Sequence, residues 1–369
     1  MKVAILANPN SIHTKRWIAS LCQSGIEVVL IGLHKSNSAF YDNLPNFKSF
    51  TIGFKDHLNY IDNKIHKLKY ITAVNRIKKI ISFEKPDILH SYYASSYGLI
   101  GALCNFHPYV ISVWGSDVFE FPGSSFFAKK VLKYNLSKSD HIMATSNALA
   151  QETKKYTSKK INVIPFGVDT EKFFKNVKKI LFNENDIVIG TIKTLEKVYG
   201  IDYLIKAFAK LKEKNKGLSL KLLIVGSGSC EQEYKNLVKE LGIKPDVIFT
   251  GYVDHCDIVK YYNNIDVFVV SSIRESFGVS VLEASACELP VVVTDTGGLP
   301  EVVEKNKTGM IVPVKDIDEI VNALELLISS EKLRIDMGES GRKHVIKSYD
   351  WSKNVQAMIN MYKKTTKEK

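Results

Sequence analysis

Short apolar runs alternate with amphipathic segments along the whole chain, in two consecutive series. Val3–Leu6, Val28–Ile31, Ile88–His90, Tyr109–Val113, His141–Ala144 and Asn162–Ile164 read as the strands of the first series. Asp186–Thr191, Leu220–Val225, Val247–Phe249, Val267–Val270, Pro290–Val293 and Gly309–Ile311 read as those of the second. Helical periodicity lies between them, at Thr14–Ser24, Tyr70–Phe83, Tyr203–Lys214, Glu231–Leu241 and Asp316–Ser329. Strands that alternate with helices pair in parallel and carry helices on both faces of the sheet. Two series therefore predict an α/β chain of two doubly wound, Rossmann-like domains, and 369 residues suffice for both. The boundary is expected at Phe166-Gly167-Val168-Asp169, giving domains 1–168 and 169–348 and a terminal helical segment 349–369.

Composition narrows the class. With 45% hydrophobic and 24% charged residues the chain is globular. No apolar run reaches the length of a membrane span, and the N-terminus reads as a first strand rather than a signal peptide. Five scattered cysteines without a C-x-x-C suit a reducing cytoplasm, which is the expected location. The net charge of +12 is uneven: residues 1–170 hold 21 basic and 11 acidic residues, a balance of +10. Two readings fit that excess, lysine-rich composition throughout or an anionic acceptor or membrane surface as partner. Two basic aromatic stretches, Tyr60–Phe83 and Phe126–Tyr134, suit a bilayer surface or an ordinary solvated helix face.

The chemistry concentrates after the predicted strand at Val267. Glu275 falls on the loop that follows it, and Glu283 about one turn into the next helix. The first N–H groups of a helix lack internal partners, so Ser276, Phe277, Gly278 and Val279 offer an anion site between two carboxylates. Carboxylates accept from sugar hydroxyls, and such an N-terminus holds phosphate. The run Glu275-Ser276-Phe277-Gly278-Val279-Ser280-Val281-Leu282-Glu283, followed by Thr294-Asp295-Thr296-Gly297-Gly298, resembles the E-x-F-G-x-x-x-x-E donor-site signature of the retaining family-4 glycosyltransferases.

That resemblance implies the GT-B fold, with two Rossmann-like domains facing a central cleft. It assigns the nucleotide-sugar donor to the C-terminal domain and the acceptor to the N-terminal one. A final helix, Trp351 to Tyr362 here, is expected to cross back to the N-terminal domain. Glu275 would hold the donor sugar and Glu283 the ribose. Family members carry an Arg and a Lys on the loop matching Gly190–Gly200. Here Thr191 stands in the first place, so the two cationic roles pass to Lys193 and Lys197. Gly226 and the Tyr252-Val253 pair would border the nucleotide. Asp316 and Asp318 look like a metal motif of a different fold. They read instead as a helix cap and a first-turn acid, so no metal and no cofactor are expected.

In the N-terminal half, Ser11, His13 and Arg16 join the first strand to the first helix and are candidates for acceptor or phosphate contact. Relatives read H-G-x-D where this chain has Trp114-Gly115-Ser116-Asp117. Trp cannot accept a hydrogen bond, so a step needing that His is in question. Gly115 and Asp117 remain, Asp117 either orienting an acceptor or holding a turn. The expected function is transfer of a sugar from a nucleotide-sugar to a saccharide or lipid-linked acceptor in cell-surface glycan synthesis. A same-fold epimerase or phosphorylase, or a basic binding module, stays open as an alternative. No nucleic-acid motif is present.

Overall fold

The computed structural model describes residues 1–36, 39–54, 72–176 and 180–367. The chain divides into two compact units, Met1–Pro165 with Lys353–Lys369, and Phe166–Ser352. Each is built on its own parallel sheet.

Among the described residues the first sheet has seven strands: β1 (Lys2–Leu6), β2 (Glu27–Gly32), β3 (Phe47–Thr51), β4 (Ile88–Tyr92), β5 (Tyr109–Val113), β6 (His141–Ala144) and β7 (Ile161–Val163). Their order is β3-β2-β1-β4-β5-β6-β7. The second sheet has six: β8 (Ile187–Ile192), β9 (Leu220–Val225), β10 (Val247–Phe249), β11 (Val267–Val270), β12 (Val291–Thr294) and β13 (Gly309–Val312). Their order is β10-β9-β8-β11-β12-β13. Both orders reverse once, between β1 and β4 and between β8 and β11. Open α/β sheets bind ligands outside the carboxyl ends of their strands at such reversals.

The central strands are continuous apolar runs because helices cover both their faces. All four residues of β11 and of β12 are buried. Ile201–Lys214 buries Ile201, Leu204, Ile205, Phe208 and Leu211 at helical spacing against this sheet. Its outer face pairs Lys210 with Asp318 and Lys214 with Glu325.

Sequence periodicity misses β3. It is the edge strand beside β2, half exposed, and its Phe47-Lys48-Ser49-Phe50-Thr51 lacks an apolar run. The helix expected from Tyr70 runs over Val74–Glu84 instead. Residues 60–71 of the first basic aromatic stretch lie outside the described residues. The last helix, Trp351–Lys367, begins in the second unit and from Lys353 belongs to the first. Trp351 is only half-buried, and Tyr362 is the anchor. The Tyr362 hydroxyl lies 2.6 Å from Nδ1 of His90, whose Nε2 lies 2.8 Å from the Ser112 hydroxyl. Burial pulls the His90 pKa down to about 3, so this imidazole is neutral and structural.

Candidate active site

The reversal in the second sheet brings two loops together. One follows β8 and carries Lys193, and the other follows β11 and carries Glu275. Lys193 Nζ donates to Glu275 Oε2, and both side chains are nearly buried. The Ser276 N–H donates to the other oxygen of Glu275 at 3.2 Å. The Lys193 ammonium also lies 4.6 Å from the centre of the Tyr199 ring, a cation–π distance. Burial disfavours this ammonium, yet the Glu275 carboxylate, Tyr199 and Glu283 together outweigh it and hold Lys193 above the ordinary lysine range.

Backbone packing fixes where both groups sit. Gly226, after β9, has φ +132°, and a Cβ there would overlap the Lys193 carbonyl oxygen. The Leu195 N–H donates to Ser227 O at 3.0 Å, and the Cys230 N–H to Leu195 O at 2.9 Å. Gly226 thus seats the Lys193 loop on its neighbour. Gly297, after β12, has φ +54°, and a Cβ there would run into the Glu275 carbonyl oxygen. The Gly298 N–H donates to that same oxygen at 3.2 Å. The glycine pair at 297–298 is therefore the floor under the Glu275 loop.

Glu283 lies in the helix Val279–Ala286, whose N-terminal flank is Gly278, and is buried. Its Oε1 is 2.9 Å from His255 Nε2, and its Oε2 accepts from the Tyr262 hydroxyl at 2.7 Å. Sequence reasoning singled out neither partner. His255 stands two residues past the Tyr252-Val253 pair, but nothing in its spacing ties it to a glutamate 28 residues on. Phe277 is buried, its ring 6.4 Å from Phe166 and 5.9 Å from Tyr349. Only its main chain is then available to a ligand. Tyr252 is exposed and Val253 half-buried. Lys197 is 77% exposed and sits 3.6 Å from Glu233, so the fold unites Lys193 with Glu275 but leaves Lys197 on the surface.

In the first unit, Asp117 is buried with both oxygens occupied. Oδ2 accepts from the Ala94 N–H at 2.7 Å, and Oδ1 from Gly115 at 2.8 Å and Trp114 at 3.1 Å. Burial raises its pKa, opposed by these N–H bonds. These bonds tie the turn at Gly115 to the loop at Ala94. Trp114 is buried too, with the rings of Tyr92, Tyr93 and His13 at 4.7, 5.3 and 6.0 Å. Ser11 flanks the helix Ile12–Gln23, and His13 and Arg16 lie half-buried within it.

Asp316 caps its helix by accepting from the Glu319 N–H at 3.1 Å, and Asp318 pairs with Lys210. Among the described residues no three His, Cys, Asp or Glu side chains converge to hold a metal ion. None of the described helices is long and apolar enough to cross a membrane.

Residues 172–344 match the family described as glycosyl transferases group 1, and residues 2–146 the family described as glycosyl transferase 4-like. The capsular polysaccharide biosynthesis glycosyltransferase CapM of Staphylococcus aureus is 31% identical over 317 residues, 79% of this chain and 81% of CapM. In fold, the chain is similar to sucrose-phosphate synthase from Thermosynechococcus elongatus. That match has a TM-score of 0.87 at 20% identity and covers all of both chains. It is also similar to Anabaena HepE, solved in complex with UDP, with a TM-score of 0.80 at 18% identity over 99% of this chain and all of HepE. Two parallel Rossmann-like sheets, matched family by family along their length, and a relative close to a third identical over most of its own chain lead to one assignment: this protein belongs to the GT-B glycosyltransferases of group 1.

Proposed function

We propose that the protein is a retaining glycosyltransferase that moves a sugar from a nucleotide-sugar to an acceptor hydroxyl in cell-surface glycan or glycolipid synthesis. The observation that carries this reading is the Lys193–Glu275 pair at the reversal of the second sheet. A buried cation beside a carboxylate suits a ligand that offers a diphosphate next to sugar hydroxyls. Glu275 holds the donor sugar and Glu283 the ribose. Main-chain N–H groups of Phe277, Gly278 and Val279 take the phosphates, and Gly226, Tyr252 and Val253 border the nucleotide. Lys193 stabilises charge developing on the leaving diphosphate, a task suited to a preorganised cation, and the surface Lys197 adds only a weaker, screened contribution. With Lys193 in that role the reaction is expected to proceed without a divalent metal. The departing phosphate takes the acceptor proton. Ser11, His13, Arg16 and Gly115 line the acceptor side, with Asp117 positioning the last.

HepE, solved with UDP, glucose and UDP-glucose, supports a nucleotide-sugar donor. The name of CapM supports a cell-surface polysaccharide as product. The acceptor is saccharide or lipid-linked. The helix Phe126–Lys138 favours the second, because Phe126 and Phe127 are 69% and 77% exposed beside the exposed Lys129, Lys130 and Lys133. Such a face suits the inner surface of an anionic membrane.

Thermal unfolding against a panel of nucleoside diphosphates and nucleotide-sugars tests the donor. A ligand at 100 times its Kd stabilises by about 2.7 kcal/mol. One base is expected to raise the melting temperature, and its sugar conjugate to transfer with the anomeric configuration kept. A panel without any shift overturns the reading. Epimerised donor appearing without acceptor assigns an epimerase instead.

A further inference from the structure

Around Glu283 the fold builds a cluster that transfer of the sugar itself does not use. The His255 main-chain oxygen accepts from Lys172 Nζ at 2.9 Å, and the same ammonium lies 3.5 Å from His255 Nδ1. The Phe173 ring stands 5.7 Å from the His255 ring and 5.8 Å from that of Tyr262. An ammonium only donates, so the Nδ1 facing it is the accepting nitrogen. In a neutral imidazole the proton then sits on Nε2, which donates to Glu283 Oε1. An ionised carboxylate only accepts, so the Tyr262 hydroxyl donates to Oε2. Each oxygen of Glu283 thus takes one donor from the protein and keeps a second acceptor site on the same atom. The carboxylate is held from both sides, and its side chain is only 7% exposed against 31% for His255.

Two parallel acceptor sites a carboxylate-width apart match the two adjacent hydroxyls of a ribose. We propose that His255 and Tyr262 are positioning residues that lock the Glu283 carboxylate for a two-hydroxyl grip, so that His255 sets the preference for ribo- over deoxyribonucleotides. The proposal rests on the reading above that Glu283 faces the ribose. Neither residue touches the reacting atoms. Losing either lets the carboxylate turn and leaves one hydroxyl poorly matched.

The test measures binding of UDP and GDP, each beside its 2′-deoxy and 3′-deoxy forms, to the full chain by thermal shift and calorimetry. The wild type is expected to prefer the ribo form at least tenfold, as befits a hydrogen bond to a charged acceptor. Glu283→Gln should remove that preference. His255→Phe should lower it several-fold, and His255→Gln, which restores an N–H near the Nε2 position, should recover most of it. Tyr262→Phe keeps the ring and loses only the hydroxyl, so it gives the same readout if the His255 variant folds poorly. A merely structural role would weaken ribo and deoxy forms alike and leave their ratio unmoved. A wild type without preference sinks the ribose reading of Glu283. A wild-type preference that Glu283→Gln abolishes but His255→Phe and Tyr262→Phe retain sinks the positioning proposal alone.

Discussion

Beyond β11 the carboxylate of Glu275 meets a lysine side chain and one N–H. Beyond β5 the carboxylate of Asp117 meets main-chain N–H groups from two separate loops. Both acids sit at the carboxyl ends of strands in parallel sheets, where ligands bind. They differ in what a ligand would have to displace. The Asp117 bonds come from main chain that cannot swing away without unfolding the turn at Gly115. The principal partner of Glu275 is a flexible side chain that can exchange a carboxylate for a phosphate. Burial pushes the Asp117 pKa up, whereas beside Glu275 it is Lys193 that the ion pair holds above its ordinary range against burial. The proposed roles follow this difference: main-chain bonds suit Asp117 to a clamp, and a side-chain partner suits Glu275 to a ligand group.

The sharpest way to break this comparison leaves both carboxylates untouched. Gly297→Ala puts a methyl group against the Glu275 carbonyl at a φ that L residues rarely adopt. The loop must move, and a misplacement of about 1 Å at a catalytic group costs roughly a hundredfold. Transfer should fall by at least that much, while strain lowers stability by about 1–3 kcal/mol. Turnover measured beside a urea melt decides. Wild-type turnover would mean that the Glu275 loop tolerates displacement and does not hold the donor.

Glu275→Gln comes next. Removing one charged hydrogen-bonding partner at a transition state costs about 2.7–4 kcal/mol, or a hundredfold to a thousandfold in rate. Lys193→Ala should cost a similar factor in rate, and less in affinity for the free donor, because charge on the diphosphate grows as the bond breaks. Lys197→Ala should cost far less, since Lys197 pairs with Glu233 on the surface. Equal losses for the two lysines would bring Lys197 into the site. The pair also carries a pH signature. A lysine raised on folding stabilises fully below its ordinary value near 10.5, and that contribution fades as pH climbs through the folded value. The stability gap between wild type and Lys193→Met should therefore be constant from pH 7 to 9 and narrow at higher pH.

The contrast also explains what the sequence revealed. Buried parallel strands such as Val267–Val270 and Val291–Thr294 are continuous apolar runs, so the two sheets were legible down to most of their ends. Glu275 and Gly297-Gly298 stood out by their resemblance to a donor-site signature, and the close backbone approach explains why glycines stand at 297 and 298. The edge strand β3 was not, because half its surface is solvated and its composition follows. Nor were His255 and Tyr262 as partners of Glu283. Their contacts join separate elements, and neither a histidine in a turn nor a tyrosine at the end of a short helix carries a mark of the carboxylate it will meet. Asp117 was visible as a residue, but its role depends on Ala94 lying beside it, which only the pairing of β4 with β5 decides.

Asp117→Asn tests the clamp side of the comparison. Asparagine turns one acceptor oxygen into an N–H₂ donor facing main-chain N–H groups. An unsatisfied buried group costs about 1–3 kcal/mol, so the melting temperature should drop by several degrees. Donor affinity should hold, and turnover of the folded fraction should change far less than in Glu275→Gln. A stable variant with abolished turnover would make Asp117 a contacting residue and erase the distinction between the two acids.

The smallest effect belongs to the outer face of the first unit. Phe126 and Phe127 begin the helix Phe126–Lys138 exposed, with Lys130 Nζ 4.6 Å from the centre of the Phe126 ring. Ala128, Leu132 and Leu136 on the same helix are buried, so the helix is already docked and presents only this basic aromatic side outward. Each lysine near an anionic leaflet is worth roughly fivefold in partitioning, within a screening length of about 8 Å at physiological salt. Three lysines and two exposed rings would give reversible attachment, as the proposed lipid-linked acceptor requires. Co-sedimentation with vesicles containing phosphatidylserine should recover the wild type at low salt and lose it as salt rises. The Lys129→Glu, Lys130→Glu, Lys133→Glu triple variant should stay in solution while its turnover on a soluble acceptor analogue is unchanged, because none of the three lies at a strand end. Equal sedimentation of the two proteins, or none by either at low salt, would assign the basic face to solvent and favour a soluble acceptor.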